Sequence, residues 1–185
     1  MRILCLIAIA IAIAAIDFQN PPPAEHPVMN LPLKGRQSNW ARYGEGSCVV
    51  ASTISCLRWQ GRHADAERLK RAYGGGQDYD GWNEALDKTG IRYACTYRKN
   101  DVAFLERCIA TRRGCIVGVN PYKNSLSPAH MVCLVDMTAS QCAILDNNDV
   151  THYLWVSRSE FLAEWKRAGS WALTPIYTPT SPRIP

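Results

Sequence analysis

The spacing of hydrophobic residues changes near the middle of the chain, from helix-like periods to short strand-like runs. Apolar residues fall on most sides of the segment that begins at Ser47 and ends at Gly61, which predicts a central, buried helix capped by Ser47. The other predicted helices are Arg62–Tyr73, Tyr79–Lys88, a helix from the Asp101 cap to Arg112, and Glu160–Arg167. The predicted strands are Ile91–Tyr97, Gly114–Val119, His130–Met137, Gln141–Asp146, Thr151–Val156 and Trp171–Tyr177.

The order of these elements indicates an α+β fold, because helices dominate the first half and strands the second. The two runs His130–Met137 and Gln141–Asp146 are separated by only three residues, which predicts an antiparallel hairpin. We therefore expect an N-terminal helical half, with the central helix packed on a C-terminal antiparallel sheet.

The two ends of the chain differ from this central part. Arg2 precedes an apolar run, Ile3–Ile16, which is shorter than the roughly 20 residues of a spanning helix and is typical of a secretory signal peptide. We expect residues 1–19 to be a signal peptide or an N-terminal anchor, residues 20–35 a proline-rich linker, residues 36–177 the domain, and residues 178–185 a disordered tail. The protein is then exported to the periplasm or the extracellular space, and contacts a membrane only if the segment stays uncleaved.

Composition narrows the class of protein. The chain has 185 residues, of which 47% are hydrophobic and 20% charged, as in a globular domain with a real core. The formal charge of +5 comes from scattered basic residues, so we expect no nucleic-acid partner, and we expect a monomer.

Seven cysteines follow the N-terminal apolar segment, and an odd number suggests one free thiol in an exported protein. The other six leave alternatives open: three disulfides, a single one such as Cys133–Cys142, or buried free cysteines in strands. No pair has the short C-x₂-C spacing of a zinc site, so we expect no metal.

Three segments carry residues with reactive chemistry. Cys48 follows a glycine-punctuated loop and begins the predicted central helix, where unpaired N–H groups and the helix dipole stabilise a thiolate. His130 opens one strand of the predicted hairpin, and Asp146 closes the other, sixteen residues later, so the two side chains are expected to lie side by side. Asn147 is the alternative partner for the imidazole. A thiol, a base and an orienting group are the components of a cysteine hydrolase.

These segments resemble the papain-like cysteine peptidases, and more closely the bacteriocin-processing, double-glycine type peptidases and their exported bacterial relatives. In that superfamily a cysteine begins the central helix, a histidine opens a strand, and an aspartate or asparagine ends the next strand. The resemblance implies a papain-like fold and a Cys48–His130–Asp146 triad. It also implies a peptide or protein substrate, hydrolysis through a thioester, and no cofactor.

One position departs from the family pattern. The family has an oxyanion-hole glutamine six residues before the cysteine, and here that residue is Arg42. The nearest amides are Gln37 and Asn39, eleven and nine residues upstream of Cys48, and both are candidates for the oxyanion donor. Two alternatives follow from this departure: an acyltransferase or transglutaminase-like use of the same triad, and a catalytically inactive papain-like binding module.

Overall fold

The computed structural model describes residues 26–40, 46–120 and 130–176. The expected signal segment and C-terminal tail, together with Arg42, therefore lie outside the described residues. The helices are α1 Ser47–Trp59, α2 His63–Ala72, α3 Trp82–Lys88, α4 Val102–Ala110 and α5 Arg158–Arg167, with 3₁₀ turns at Leu33–Gly35 and Tyr79–Gly81. The strands are β1 Tyr93–Thr96, β2 Cys115–Val119, β3 His130–Met137, β4 Gln141–Asp146, β5 Asp149–Ser157 and β6 Ala172–Pro175.

The six strands form one antiparallel sheet in the order β1-β6-β2-β3-β4-β5. The α+β class and the β3–β4 hairpin are thus confirmed. Helices lie on both faces of the sheet, however, whereas the sequence suggested one helical half on one side. Helices α1, α2 and α3 share a core with one face, and α4 and α5 share a second core with the opposite face. This happens because β2 and β3 are buried on both faces and need apolar cover on each.

Helix α1 is the central element, as its all-round apolar pattern predicts. Ten of its thirteen residues are buried, including three serines and one threonine that find internal partners. Ser52 donates to the Met131 carbonyl of β3, and Thr53 donates to the Val49 carbonyl one turn back. The helix is therefore fixed against β3 by a polar contact as well as by apolar packing.

The start of α1 differs by one residue from the prediction. Gly46, not Ser47, is the N-cap, with a φ of 72° that favours glycine. A Cβ at this position would meet the Gln77 backbone at 2.8 Å, so the site also requires glycine sterically. Ser47 is the first helical residue, and Cys48 is the second, within the first turn.

The described part of the predicted linker, residues 26–35, packs on the domain and corrects that expectation. Met29 is buried, and its N–H donates to the Val135 carbonyl. The register between β3 and β4 shifts between Leu134 and Asp136, which leaves Val135 as the extra residue of a bulge. The buried Asp136 carboxylate accepts from the Val28 N–H at 3.0 Å. The segment therefore supplies the partners that the bulge would otherwise lack.

The suggested Cys133–Cys142 disulfide is also wrong. Cys133 lies in the core shared with α1, and Cys142 lies in the core shared with α4 and α5, on the opposite face of the sheet. Because successive side chains of a strand alternate between the two faces, cysteines of adjacent strands can bond only when both lie on the same face.

Within the described ranges, no helix is both long enough and apolar enough to cross a membrane.

Candidate functional site

The described structure brings Cys48, His130 and Asp146 together where α1 begins, β3 begins and β4 ends. His130 Nε2 lies 2.8 Å from Asp146 Oδ1. The ring also hydrogen-bonds the Cys48 side chain. The side chain of His130 is 17% exposed and that of Asp146 is 36% exposed, so the site opens to solvent on one side.

The charges of this group favour a protonated imidazole. Burial of His130 lowers its pKa, but the hydrogen bonds and charges of Asp146 and Cys48 outweigh burial and raise the pKa to about 9. Burial likewise opposes ionisation of Asp146, yet the hydrogen bonds from His130 and the Asn148 N–H hold its pKa below the ordinary value. At neutral pH the arrangement therefore favours an imidazolium held between a carboxylate and a sulfur.

Asn39 lies beside this group and is connected to it on two sides. Its Oδ1 accepts from the Ser47 hydroxyl, next to Cys48, and its Nδ2 donates to Asn148 Oδ1 at 3.1 Å. Asn148 in turn donates its backbone N–H to Asp146 Oδ1 at 2.9 Å. The Asn148 contact uses one of the two donors of the Asn39 amide, so this candidate oxyanion residue retains a second donor near the start of α1.

Gln37, the other candidate, lies elsewhere. Its backbone N–H donates to Ser55 Oγ, and Ser55 is two turns, or about 10 Å, beyond Cys48 along α1. Its side-chain oxygen accepts from Arg58 and Lys70. The amide is therefore committed to the far end of the helix and does not reach the thiol. The physical reason is that the chain passes antiparallel to α1, so residues further upstream contact later turns.

Asn147, the alternative partner for His130, points away from the ring and into the protein. It is 3% exposed, and its Nδ2 lies 2.6 Å from the Met131 carbonyl, 2.9 Å from Ser52 Oγ and 3.2 Å from the Cys48 carbonyl. The backbone carbonyl of Asn147 accepts from the backbone N–H of Asn39 at 2.7 Å. Asn147 thus joins the end of β4 to the start of β3 and to the first turn of α1. Its position in the sequence did not indicate this role.

We expect Asn147→Asp to lower the free energy of unfolding by about 1–3 kcal/mol. Two carbonyl oxygens face Nδ2, and a carboxyl group supplies at most one donor to them, whether ionised or protonated. Urea unfolding measures the change. Asn30→Asp is the matched control, because Asn30 lies near the surface and its oxygen accepts from Tyr153, a contact that aspartate retains. Equal midpoints for the two variants would contradict this assignment.

No cluster of three or more histidine, cysteine or acidic side chains among residues 26–40, 46–120 and 130–176 is arranged to hold a metal ion. The His152–Asp149 pair lies on exposed β5 and contributes only a coulombic effect from Asp149 on Asp146.

Comparison with known proteins gives structural similarity only. No protein-family model matches the sequence, and none of the curated proteins is detectably similar to it. A protein described as a C39-like peptidase from Bacillus anthracis superposes with a TM-score of 0.62 at 15% identity, covering 84% of this chain and 98% of that one. The peptidase domain of Streptococcus ComA, a bifunctional ABC transporter involved in quorum sensing, gives a TM-score of 0.56 at 18% identity, covering 78% and 99%.

These similarities extend over nearly the whole length of both neighbouring chains. They agree with the helix-sheet-helix layering described above and with the resemblance read from the sequence. The chain therefore has the α+β, papain-like fold of the C39-like peptidases.

Proposed function

We propose that this protein is a cysteine peptidase that hydrolyses peptide bonds with Cys48 as the nucleophile. The observation that carries the proposal is the contact of one imidazole with both a thiol on the first turn of α1 and a carboxylate at the end of β4. The papain-like fold supports it, because the structural neighbours that share this fold are described as peptidases.

In the first step His130 holds the proton of Cys48, and the thiolate attacks the carbonyl carbon of the scissile peptide bond. The carbonyl oxygen becomes an oxyanion. Its candidate donors are the Cys48 N–H and the second N–H of the Asn39 side chain, which contacts Ser47 next to Cys48. His130 then gives its proton to the leaving amine, and the thioester forms. Asp146 keeps the ring in the tautomer that this transfer requires.

In the second step a water molecule attacks the thioester carbon, and His130 takes the water's proton as general base. Collapse of the second tetrahedral intermediate releases the carboxylic acid and returns the proton-sharing Cys48–His130 pair. No atom beyond those of the peptide and one water is consumed, so no cofactor enters the scheme.

The test is incubation of the full chain with a peptide library made from a digested proteome, followed by mass spectrometry of new termini. We expect new free carboxylates at the cleavage sites, in equal number with new amines. Added primary amine distinguishes the acyltransferase alternative, since that activity would transfer the acyl group to the amine in place of water. Absence of any acyl chemistry from folded protein would favour the inactive binding module and contradict the proposal.

We also propose that residues 1–19 direct export and that the protein acts as a monomer on peptide substrates outside the cytoplasm. The support for export is the short apolar run after Arg2. N-terminal sequencing of the protein recovered from a secreting bacterial host tests this. A new N-terminus after the apolar run is the expected result, and an intact Met1 in the cytoplasmic fraction is the contrary one.

A further inference from the structure

The seam between α1 and β3 contains two buried thiols in contact. The sulfur atoms of Cys56 and Cys133 lie 3.8 Å apart, and the two residues are 0% and 1% exposed. Cys56 is on the same helix as Cys48, and Cys133 is on the same strand as His130. The contact therefore joins the two elements whose relative position sets the distance between thiol and imidazole.

We propose that Cys56 and Cys133 form a disulfide that locks the helix bearing Cys48 to the strand bearing His130. Two thiols lose two protons and two electrons, and one disulfide of the oxidant takes up both protons and both electrons to become two thiols. The co-reactant is a protein or glutathione disulfide of an oxidising compartment. The sulfurs must approach by about 2 Å to reach bonding distance, which side-chain rotation of two facing cysteines supplies.

The surroundings favour this pair over others. Cys133 also donates to the Ser52 carbonyl at 3.1 Å, which holds its sulfur at the seam. A Cβ at position 114 would meet Cys56 Sγ at 3.0 Å and Met29 at 2.4 Å, so Gly114 and the N-terminal segment close the seam from the side. Cys108 and Cys115 hydrogen-bond each other and lie, with Cys142, in the core on the opposite face of the sheet, and Cys95 is exposed. None of these four cysteines belongs to the core that contains Cys56 and Cys133.

Burial determines when the bond forms. The hydrogen bond with Cys133 and the burial of Cys56 raise the pKa of the Cys56 thiol well above its ordinary value, so little thiolate exists in the folded state. Oxidation is therefore expected while the chain folds, before the seam closes, and the finished bond is then shielded from reductants. The bond closes a loop of 77 residues, which restricts the unfolded chain strongly.

The test uses the full chain carrying Cys48→Ala and Cys142→Ala, refolded in a buffer of oxidised and reduced glutathione. Trypsin cuts after Arg42, Arg58, Lys123 and Arg158, so the peptides 43–58 and 124–158 then contain one cysteine each, Cys56 and Cys133. We expect the two peptides to run as one disulfide-linked species without reductant. Their recovery as separate, fully alkylated peptides from folded protein would overturn the proposal.

A second measurement does not depend on digestion. Reductant should lower the thermal midpoint of the refolded wild-type chain by on the order of 10 °C, and this sensitivity should be lost in Cys133→Ala. Cys142→Ala is the matched control, since it removes a buried thiol outside the pair and should keep the sensitivity. An equal response of wild type and Cys133→Ala to reductant would also overturn the proposal. Neither measurement requires peptidase activity, so failure of the disulfide proposal can be distinguished from failure of the proposed function.

Discussion

Replacing Cys48 by alanine should lower kcat/KM for peptide hydrolysis by roughly 10⁴-fold or more. The thiol supplies the bond-forming atom, and in the described site no second sulfur contacts His130, so residual activity would come only from binding and the oxyanion donors. Cys48 is half-buried and the alanine is smaller, so the fold should survive. Steady-state kinetics on the peptide identified in the library experiment measure the loss.

Cys95→Ala is the control for this prediction, because Cys95 is exposed on β1, on the opposite edge of the sheet from β4 and β5. It should retain wild-type kinetics. A Cys48→Ala chain that stays active while Cys95→Ala is inactive would place the nucleophile elsewhere. Circular dichroism and the urea midpoint of both variants separate loss of chemistry from loss of fold.

Replacing Asp146 by alanine should lower kcat/KM on the order of 10²-fold or more and shift its pH dependence. In the wild type the imidazolium of His130 is the acid that protonates the leaving amine, and its pKa of about 9 predicts that activity falls as pH rises through 9. Asp146 is one of the groups that raise this pKa, so its removal moves the falling limb to lower pH. Values of kcat/KM measured between pH 5 and 10, at intervals of roughly one pH unit, would show both the loss of activity and the displaced falling limb.

Asp146→Asn distinguishes orientation from charge in this second prediction. The amide keeps an acceptor for Nε2–H but lacks the negative charge, so activity should lie between wild type and Asp146→Ala, with the falling limb still displaced. A falling limb that stays near pH 9 in both variants would show that the carboxylate does not act on the imidazole.

Local patterns predicted the elements well, because each rests on short-range physics. The all-round apolar pattern after Ser47 predicted a buried helix, and two strand-like runs separated by three residues predicted the hairpin that brings His130 and Asp146 within 2.8 Å. The cap at Asp101 holds as expected, since its carboxylate accepts from the Phe104 N–H. The N-cap of α1 was wrong, because Gly46 is required by its close approach to Gln77, which is distant in sequence.

Long-range contacts account for the remaining errors. The prolines of the N-terminal segment suggested a linker, but the bulge at Val135 offers a free carbonyl that only the folded sheet creates. Gln37 seemed close to Cys48 along the chain, yet the segment runs along α1 and places it beside Ser55. The position of Asn147 between two carbonyls likewise depends on how β3 and α1 meet, which residue spacing does not encode.

If the sulfur of Cys48 shares a proton with His130, the rate at which that thiol is alkylated should show it. Native protein is treated with iodoacetamide at pH 7, and the labelled residues are quantified by mass spectrometry, with exposed Cys95 as the internal reference. We expect Cys48 to react at least roughly tenfold faster than Cys95, and His130→Ala to remove this advantage. Equal rates for the two thiols, or an advantage that persists in His130→Ala, would contradict this expectation.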